Sequence, residues 1–446
     1  MANTYLTRTS STPTNALKWT YSVWVKIAGI ANDTFLLDFN TDGNNRSNIG
    51  FQESNDRFIV YEKVSGSTSQ LLETTQVFRD NSGWYNLVAS CDRTLATASD
   101  RTKIYVNGSR VTSFSTETQP TQNVTGIINT AVNTLIGKYS QSTLYFNGSL
   151  SHVHFIDGTA YDASYFGSTD STTGEWEINT SPTLTYGNNG FFILKDGNSV
   201  NDQSGNANNF TVGGGTLTNT EDCPSNVFST YNPLDNYYAN STFSNGNTTI
   251  VTNSANTTYN TSTLGIPPTM KCYWEAKFDT VQSANGEVGI VNTPTTGSAA
   301  GAYRLYYQTY GISVNDGGAI WSANANTGIT LGTLSTSDIV CFAWDGVNQA
   351  LYVRKNGDAW INSGDPTSGA SKTGAVKSFS GTSLTMFPAV GDQSGSHAVG
   401  TSTNFGNGYF GTTAISSEGT NASGIGKFEY NVPAGYSGLS TKGLNL

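Results

Sequence analysis

The sequence predicts an all-β protein: two antiparallel β-sandwich domains of the jelly-roll type in tandem. Three observations lead there. Apolar and polar residues alternate over long runs, Asn-Gly and Asp-Gly dipeptides punctuate those runs, and the chain has 446 residues. Alternation with period two is the mark of a strand with one face in a core. Asn-Gly and Asp-Gly pairs favour the type I′ hairpin, whose two central residues both need positive φ. A single β core seldom passes about 200–250 residues, so this length asks for two.

Taken in order, the first strong element is Leu17–Ile27, where Leu17, Trp19, Tyr21, Val23, Val25 and Ile27 are apolar and the intervening positions are polar except Trp24. A half-buried strand is expected there. Tyr85, Leu87, Ala89 and Cys91 repeat the pattern, and Ile104 and Val106 precede the turn Asn107-Gly108. Thr159 to Phe166 is the one stretch with a helical look, a turn or two at most. In the second half Trp274, Ala276 and Phe278 share a face, while Ile339 to Trp344 is apolar on both, as a central strand would be. Leu351 and Val353 lead into Asn356-Gly357. Further turn signals stand at Asp42-Gly43, Asp157-Gly158, Asn285-Gly286 and Asp345-Gly346. The segment from Asn240 to Thr263, rich in Asn, Thr and Ser, reads as a long loop or an edge hairpin. Asp222-Cys223-Pro224-Ser225 and Asn232-Pro233-Leu234-Asp235 break all periodicity. The expected division is therefore residues 1–220, a linker over 221–235, and residues 236–446.

Composition excludes several functions. Charged residues make up 12% of the chain, against about 25% in an ordinary soluble domain. Gly (48), Tyr (23) and Phe (21) are abundant instead, a strand-and-turn composition too apolar for disorder. A net charge of −10 argues against nucleic acid, because phosphate binding needs clustered Lys and Arg. The first ten residues hold no apolar core of an export signal, and no stretch approaches the roughly 18 apolar residues of a membrane span. No membrane insertion is expected. Cys91, Cys223, Cys272 and Cys341 lack the close spacing of a zinc knuckle, and Cys91 and Cys341 read as small buried hydrophobes.

Four ordered motifs give the first half a family resemblance. Trp19-Thr20-Tyr21-Ser22-Val23-Trp24-Val25-Lys26, Trp84-Tyr85-Asn86-Leu87-Val88-Ala89, Lys103-Ile104-Tyr105-Val106-Asn107-Gly108 and Asn147-Gly148-Ser149-Leu150-Ser151-His152-Val153-His154-Phe155 resemble the strands of a laminin-G-like, concanavalin-A-like jelly roll. The turn Asp202-Gln203-Ser204-Gly205-Asn206 fits the same modules. The second half resembles a SPRY domain through Tyr273-Trp274-Glu275-Ala276, Gly286-Glu287-Val288-Gly289-Ile290, Ser337-Asp338-Ile339-Val340-Cys341-Phe342-Ala343-Trp344-Asp345 and Leu351-Tyr352-Val353-Arg354-Lys355-Asn356-Gly357. Phe387-Pro388-Ala389-Val390, Asn404-Phe405-Gly406 and Pro433-Ala434-Gly435-Tyr436 complete it; Ser337 departs from the family's usual Gly. Together the two modules resemble tail-fibre or other virion surface proteins of marine bacteriophages.

That resemblance implies recognition without catalysis: a virion surface protein that meets a host-surface glycan or protein and assembles with other virion proteins. A homo-oligomer is implied, a trimer if it is a fibre, because weak sugar sites gain from avidity. Two alternatives stay open, a glycan-cleaving enzyme on the same jelly roll and a purely structural capsid or tail protein. A retaining glycosidase needs two carboxyl groups about 5 Å apart, and Glu175-Trp176-Glu177 is the nearest pair, with both side chains on one face of a strand. It stands outside the motif strands, so no catalytic residue is assigned.

Ring faces stack on sugars at small entropic cost, and Tyr303, Tyr306, Tyr307, Tyr310 and Trp321 cluster around Gly311 and Gly317-Gly318. They are the candidate ligand-binding residues, with about half of them belonging to the core. Asp38, Asn40 and Asp42, followed by Gly43, have the alternating oxygens that open a calcium loop, although Ile49 stands where an EF-hand needs Glu. Calcium is the one cofactor under consideration, and an Asx turn is its plain alternative. His152 and His154 are two apart on one strand face and read as structural; His397 reads as exposed.

Overall fold

The computed structural model describes residues 3–29, 34–52, 54–195, 199–236, 240–253, 257–282, 284–294, 304–393 and 397–445. The chain splits into two compact units, Met1–Asn219 and Thr220–Leu446. Each is an antiparallel β-sandwich, and the all-β jelly-roll class expected from the sequence is borne out.

In the first unit an eight-stranded sheet runs in the order Phe114–Thr118, Ser67–Val77, Arg57–Val64, Asn45–Gln52, Thr34–Asp42, Asn133–Ile136, Tyr5–Thr9, Thr211–Gly214. The facing six-stranded sheet is Phe191–Ile193, Gly148–Asp157, Lys18–Ile27, Tyr85–Asp92, Thr102–Val106, Ser109–Arg110. Period two sends Trp19, Tyr21, Val23, Val25 and Ile27 into the core, where they meet Leu37, Phe39, Ile49 and Phe51 from the other sheet. The polar positions Thr20, Ser22 and Lys26 are buried too, which corrects the half-buried expectation: Thr20 bonds the backbone of Thr159 and Tyr161, and Trp176 donates to Asn86 on the neighbouring strand. The segment after residue 158 thus covers that sheet from outside. Its helical content is one 3-10 turn, Ala163–Tyr165. Asn107 and Gly108 have φ of 45° and 79°, the positive pair a type I′ hairpin needs.

In the second unit the seven-stranded sheet runs Thr242–Ser244, Thr249–Val251, Gly400–Asn404, Lys271–Phe278, Ile339–Asp345, Ala350–Lys355, Lys377–Ser378. Ile339–Asp345 is buried along its whole length between two neighbours, as its two-faced apolar pattern requires. The Asn240–Thr263 region supplies the edge hairpin Thr242–Ser244/Thr249–Val251 and the edge strand Thr258–Thr261. The second sheet is Thr258–Thr261, Phe387–Asp392, Gly286–Val291, Ile312–Asn315, Ala319–Ser322, Ala325–Thr330. Trp274, stacked on Phe342 at 4.9 Å, centres the core between the two sheets.

Residues 221–235, read as a linker from the sequence, lie within the second unit. Phe228 and Tyr231 are buried there, and Tyr231 packs on Phe405 and bonds Thr403 through its hydroxyl. The Pro and Asn signals mark turns in this segment and not a free connection. All four cysteines are free thiols, with Cys91, Cys272 and Cys341 buried. Among the described residues no helix is long and apolar enough to cross a membrane.

Candidate functional site

In the second unit, strand pairing decides which side chains leave the core. Val288, Ile290, Ile312, Val314 and Ile320 face inward. Glu287, Gly289, Ser313 and Trp321 therefore stand on the opposite, outer face, with Gly289 paired to Ser313 and Ser313 to Trp321. A short 3-10 segment, Leu305–Tyr307, lies across this face. Leu305 anchors it by packing with Tyr259, Val291 and Ala389. The segment comes close enough to the Ile312–Asn315 strand that a side chain at Gly311 would strike the Leu305 carbonyl.

Anchoring Leu305 fixes the aromatic cluster beside it. Tyr306 is buried, with its ring 5.0 Å from Trp321 and 4.8 Å from Tyr307, edge to face. Tyr307 is 37% exposed and Trp321 half-buried. Arg304 lies over the Tyr307 ring at 5.1 Å and donates from Nη1 to the hydroxyls of Tyr306 (3.1 Å) and Tyr307 (3.0 Å). Tyr310 points away to pack edge-on against Phe379 of the core, and Tyr303 lies outside the described residues. Of the five aromatic candidates the structure thus brings three together, Tyr306, Tyr307 and Trp321.

Glu287 supports this cluster from below. Its carboxylate accepts from the Leu305 amide (3.0 Å), Ser313 Oγ (2.8 Å) and Gln393 Nε2 (3.1 Å). Burial pushes its pKa up to about 7, against the pull of those bonds and of the Arg304 charge. Two donors above it find no acceptor among the described residues, the buried Arg304 Nε and Trp321 Nε1.

The first unit presents a comparable outer face on its eight-stranded sheet. Phe39, Ile49 and Val60 point into the core, so Asp38, Arg46, Asn48 and Tyr61 face outward. Arg46 sits over the rings of Tyr61 (5.7 Å) and Tyr139 (5.8 Å), and Tyr139 also meets Phe35. The expected calcium loop takes a different form. Thr34–Asp42 is strand, so Asp38 and Asn40 belong to a sheet and only Asp42 reaches the turn. Asp42 there accepts from the amides of Asn44 and Asn45, an Asx turn. Asp38 accepts from Asn48 and from the Ser140 amide, and burial raises its pKa to about 6. Arg46 contributes a positive charge beside it. Among the described residues no three His, Cys, Asp or Glu side chains gather as a metal site.

Other candidates stay apart. Glu175 and Glu177 are exposed, and only Glu177 lies in the strand Trp176–Ile178. Their shared strand face is therefore corrected. A β-bulge between Ser151 and His154, with His152 at φ 48°, likewise breaks the simple alternation expected of the two histidines. His154 is buried, stacked on Phe192 at 3.9 Å and bonded to the Tyr186 hydroxyl, and burial pulls its pKa down. His152 bonds Ser151 Oγ. His397 is half-buried and not exposed, 3.5 Å from Asn285 Nδ2. Sequence reading missed Arg304, Glu287, Arg46, Tyr61 and Tyr139. Arg304 had a signal, since a cation beside two tyrosines stands out in a chain so poor in charge.

Residues 2–164 match the Concanavalin A-like lectin/glucanases superfamily, laminin-G type. No curated protein matches the chain in sequence. Similar solved structures include the SPRY domain of human HERC1, 13% identical, covering 39% of this chain and 96% of its own, with a TM-score of 0.30. A native heptameric SAP-like pentraxin from Limulus polyphemus is 15% identical over 44% of this chain and 90% of its own, TM-score 0.30. Domains LG4-5 of the mouse laminin alpha1 chain are 8% identical over 87% of this chain and 78% of theirs, TM-score 0.28.

Proposed function

We propose that this lectin-like jelly-roll chain is a non-enzymatic virion surface protein, a tail fibre, appendage or decoration, that recognises host-surface glycans and assembles with other virion proteins. One observation carries the recognition part: the Arg304–Tyr306–Tyr307–Trp321 cluster is held on an outer sheet face by a buried anchor and a buried carboxylate. Rigid rings beside polar groups make a sugar platform, because ordering them costs little entropy on binding. The superfamily match over residues 2–164 supports the same reading for the first unit. The charge-poor, Tyr-rich composition suits a surface that works outside cells, and a homo-oligomer would multiply weak sites into useful avidity.

Glu175 and Glu177 stand in solvent, and the strand Trp176–Ile178 holds only the second of them. Incubating the pure full chain with host-envelope polysaccharide separates the readings. Retention of glycan with its chain length unchanged is expected. Shortening of the polymer, lost in the Glu175→Gln/Glu177→Gln pair, would establish an enzyme; neither retention nor shortening would leave a purely structural virion protein.

A further inference from the structure

We propose that the Arg304 cluster of the second unit is selective for anionic saccharides, those bearing a carboxylate or a sulfate ester; this rests on the glycan-recognition reading. A guanidinium has five N–H donors and no acceptor. Arg304 Nη1 approaches both Tyr306 Oη (3.1 Å) and Tyr307 Oη (3.0 Å), so both phenol oxygens must accept. Each phenol proton is then turned away from Arg304 and is left to donate.

Two surrounding groups are donors as well. Arg304 Nε and Trp321 Nε1 are buried without an acceptor among the described residues, an uncommon state for groups of this kind. Arg304 makes no ion pair among the described residues. Glu287 is the carboxylate whose charge reaches Arg304, but its oxygens are taken by Leu305 N, Ser313 Oγ and Gln393 Nε2. Among the described residues the cluster therefore offers a ligand a guanidinium and two phenol O–H groups around aromatic rings. A neutral sugar hydroxyl can meet these donors only with its acceptor half and without charge assistance. An acceptor-only group matches, and guanidinium–carboxylate and guanidinium–sulfate bonds are charge-assisted. The whole chain carries −10, so long-range attraction does not assist; recognition is short-range and tied to this cluster.

The test titrates the full chain with polygalacturonate, dextran sulfate and neutral dextran of similar length, reading affinity by calorimetry. At least one anionic polymer is expected to bind tenfold or more tightly than dextran. Arg304→Gln should abolish that preference, and Tyr307→Phe, which keeps the ring and removes one donor, should reduce it several-fold. Arg304→Lys keeps the charge but not the fork and should retain part of it, so loss in Arg304→Gln is not confused with misfolding when its melting temperature matches. Equal binding of dextran and both anionic polymers, or a preference that survives Arg304→Gln, overturns anion selectivity while leaving glycan recognition standing. No binding to any of the three, nor to host-envelope glycans, overturns both.

Discussion

Trp274 and the Glu62–Arg93 pair show how differently a single residue can matter. Trp274 is 1% exposed and lies flat on Phe342, and Trp19 is wholly buried beside Phe155. Truncating either to Ala should cost its own unit about 3–5 kcal/mol and leave the other unit's melt in place. Two resolved calorimetric transitions, one of them shifted or lost, would show this; a shift in both would not fit. Glu62 and Arg93 form a buried ion pair at 2.6 Å, and Glu62 also accepts from the amides of Ile127 and Ile128. Glu62→Gln leaves Arg93 buried without its counter-charge, so the first unit should lose about 3–5 kcal/mol in denaturant unfolding. A loss below 1 kcal/mol would mean that water reaches the pair. Both tryptophans were legible because apolar alternation names the inward face. Glu62 was not: it occupies an inward position of Arg57–Val64, in phase with Phe58 and Val60, where a sequence pattern predicts another hydrophobe.

At the scale of elements, two buried carboxylates tie irregular segments onto regular sheets. Glu287 holds the Leu305 amide, and Glu275 on Lys271–Phe278 accepts from the amides of Glu429 and Tyr430, the Tyr273 hydroxyl and Asn404. Burial raises each to about 7 from an ordinary 4.5, the bonds opposing it. A carboxyl whose folded pKa lies above its unfolded value binds protons more tightly in the fold. Its stabilising effect is full below the unfolded value and is lost as pH rises through the folded one. The second unit should therefore weaken between about pH 4.5 and 7, by roughly 1–3 kcal/mol for each group. Urea midpoints of the second unit at pH 5 and pH 8 measure this, and Glu287→Gln should flatten the slope; a midpoint that rises with pH would contradict it. Strand existence was readable here, since Glu287 alternates with Val288 in a clear pattern. The crossing segment was not, because Leu305–Tyr307 owes its place to Tyr259, Val291 and Ala389, which come from three distant strands.

For the whole molecule, the question is where one folding unit stops. Proline and asparagine signals suggested a linker over 221–235, yet compactness divides the chain between Asn219 and Thr220. The reason is that a turn-rich segment can still deliver isolated anchors. Phe228 pairs with Ser440 and is 1% exposed, Ser229 donates to the Leu439 carbonyl, and Tyr231 fills a place among Ile250, Ile266 and Phe405. None of these forms a periodic run, so pattern reading passes over them. A fragment of residues 220–446 should melt cooperatively, as should residues 1–219, since each keeps its complete core. A fragment starting at 236 loses two buried rings, each worth about 3–5 kcal/mol by analogy with truncation to Ala. Ordinary domains hold only about 5–15 kcal/mol in total, so that fragment should show a far lower and broader transition or none. Circular dichroism melts of the three fragments decide the matter: equal stability of 220–446 and 236–446 would return residues 221–235 to the role of a linker, whereas loss of cooperativity on removing only those residues makes them the first structural element of the second unit.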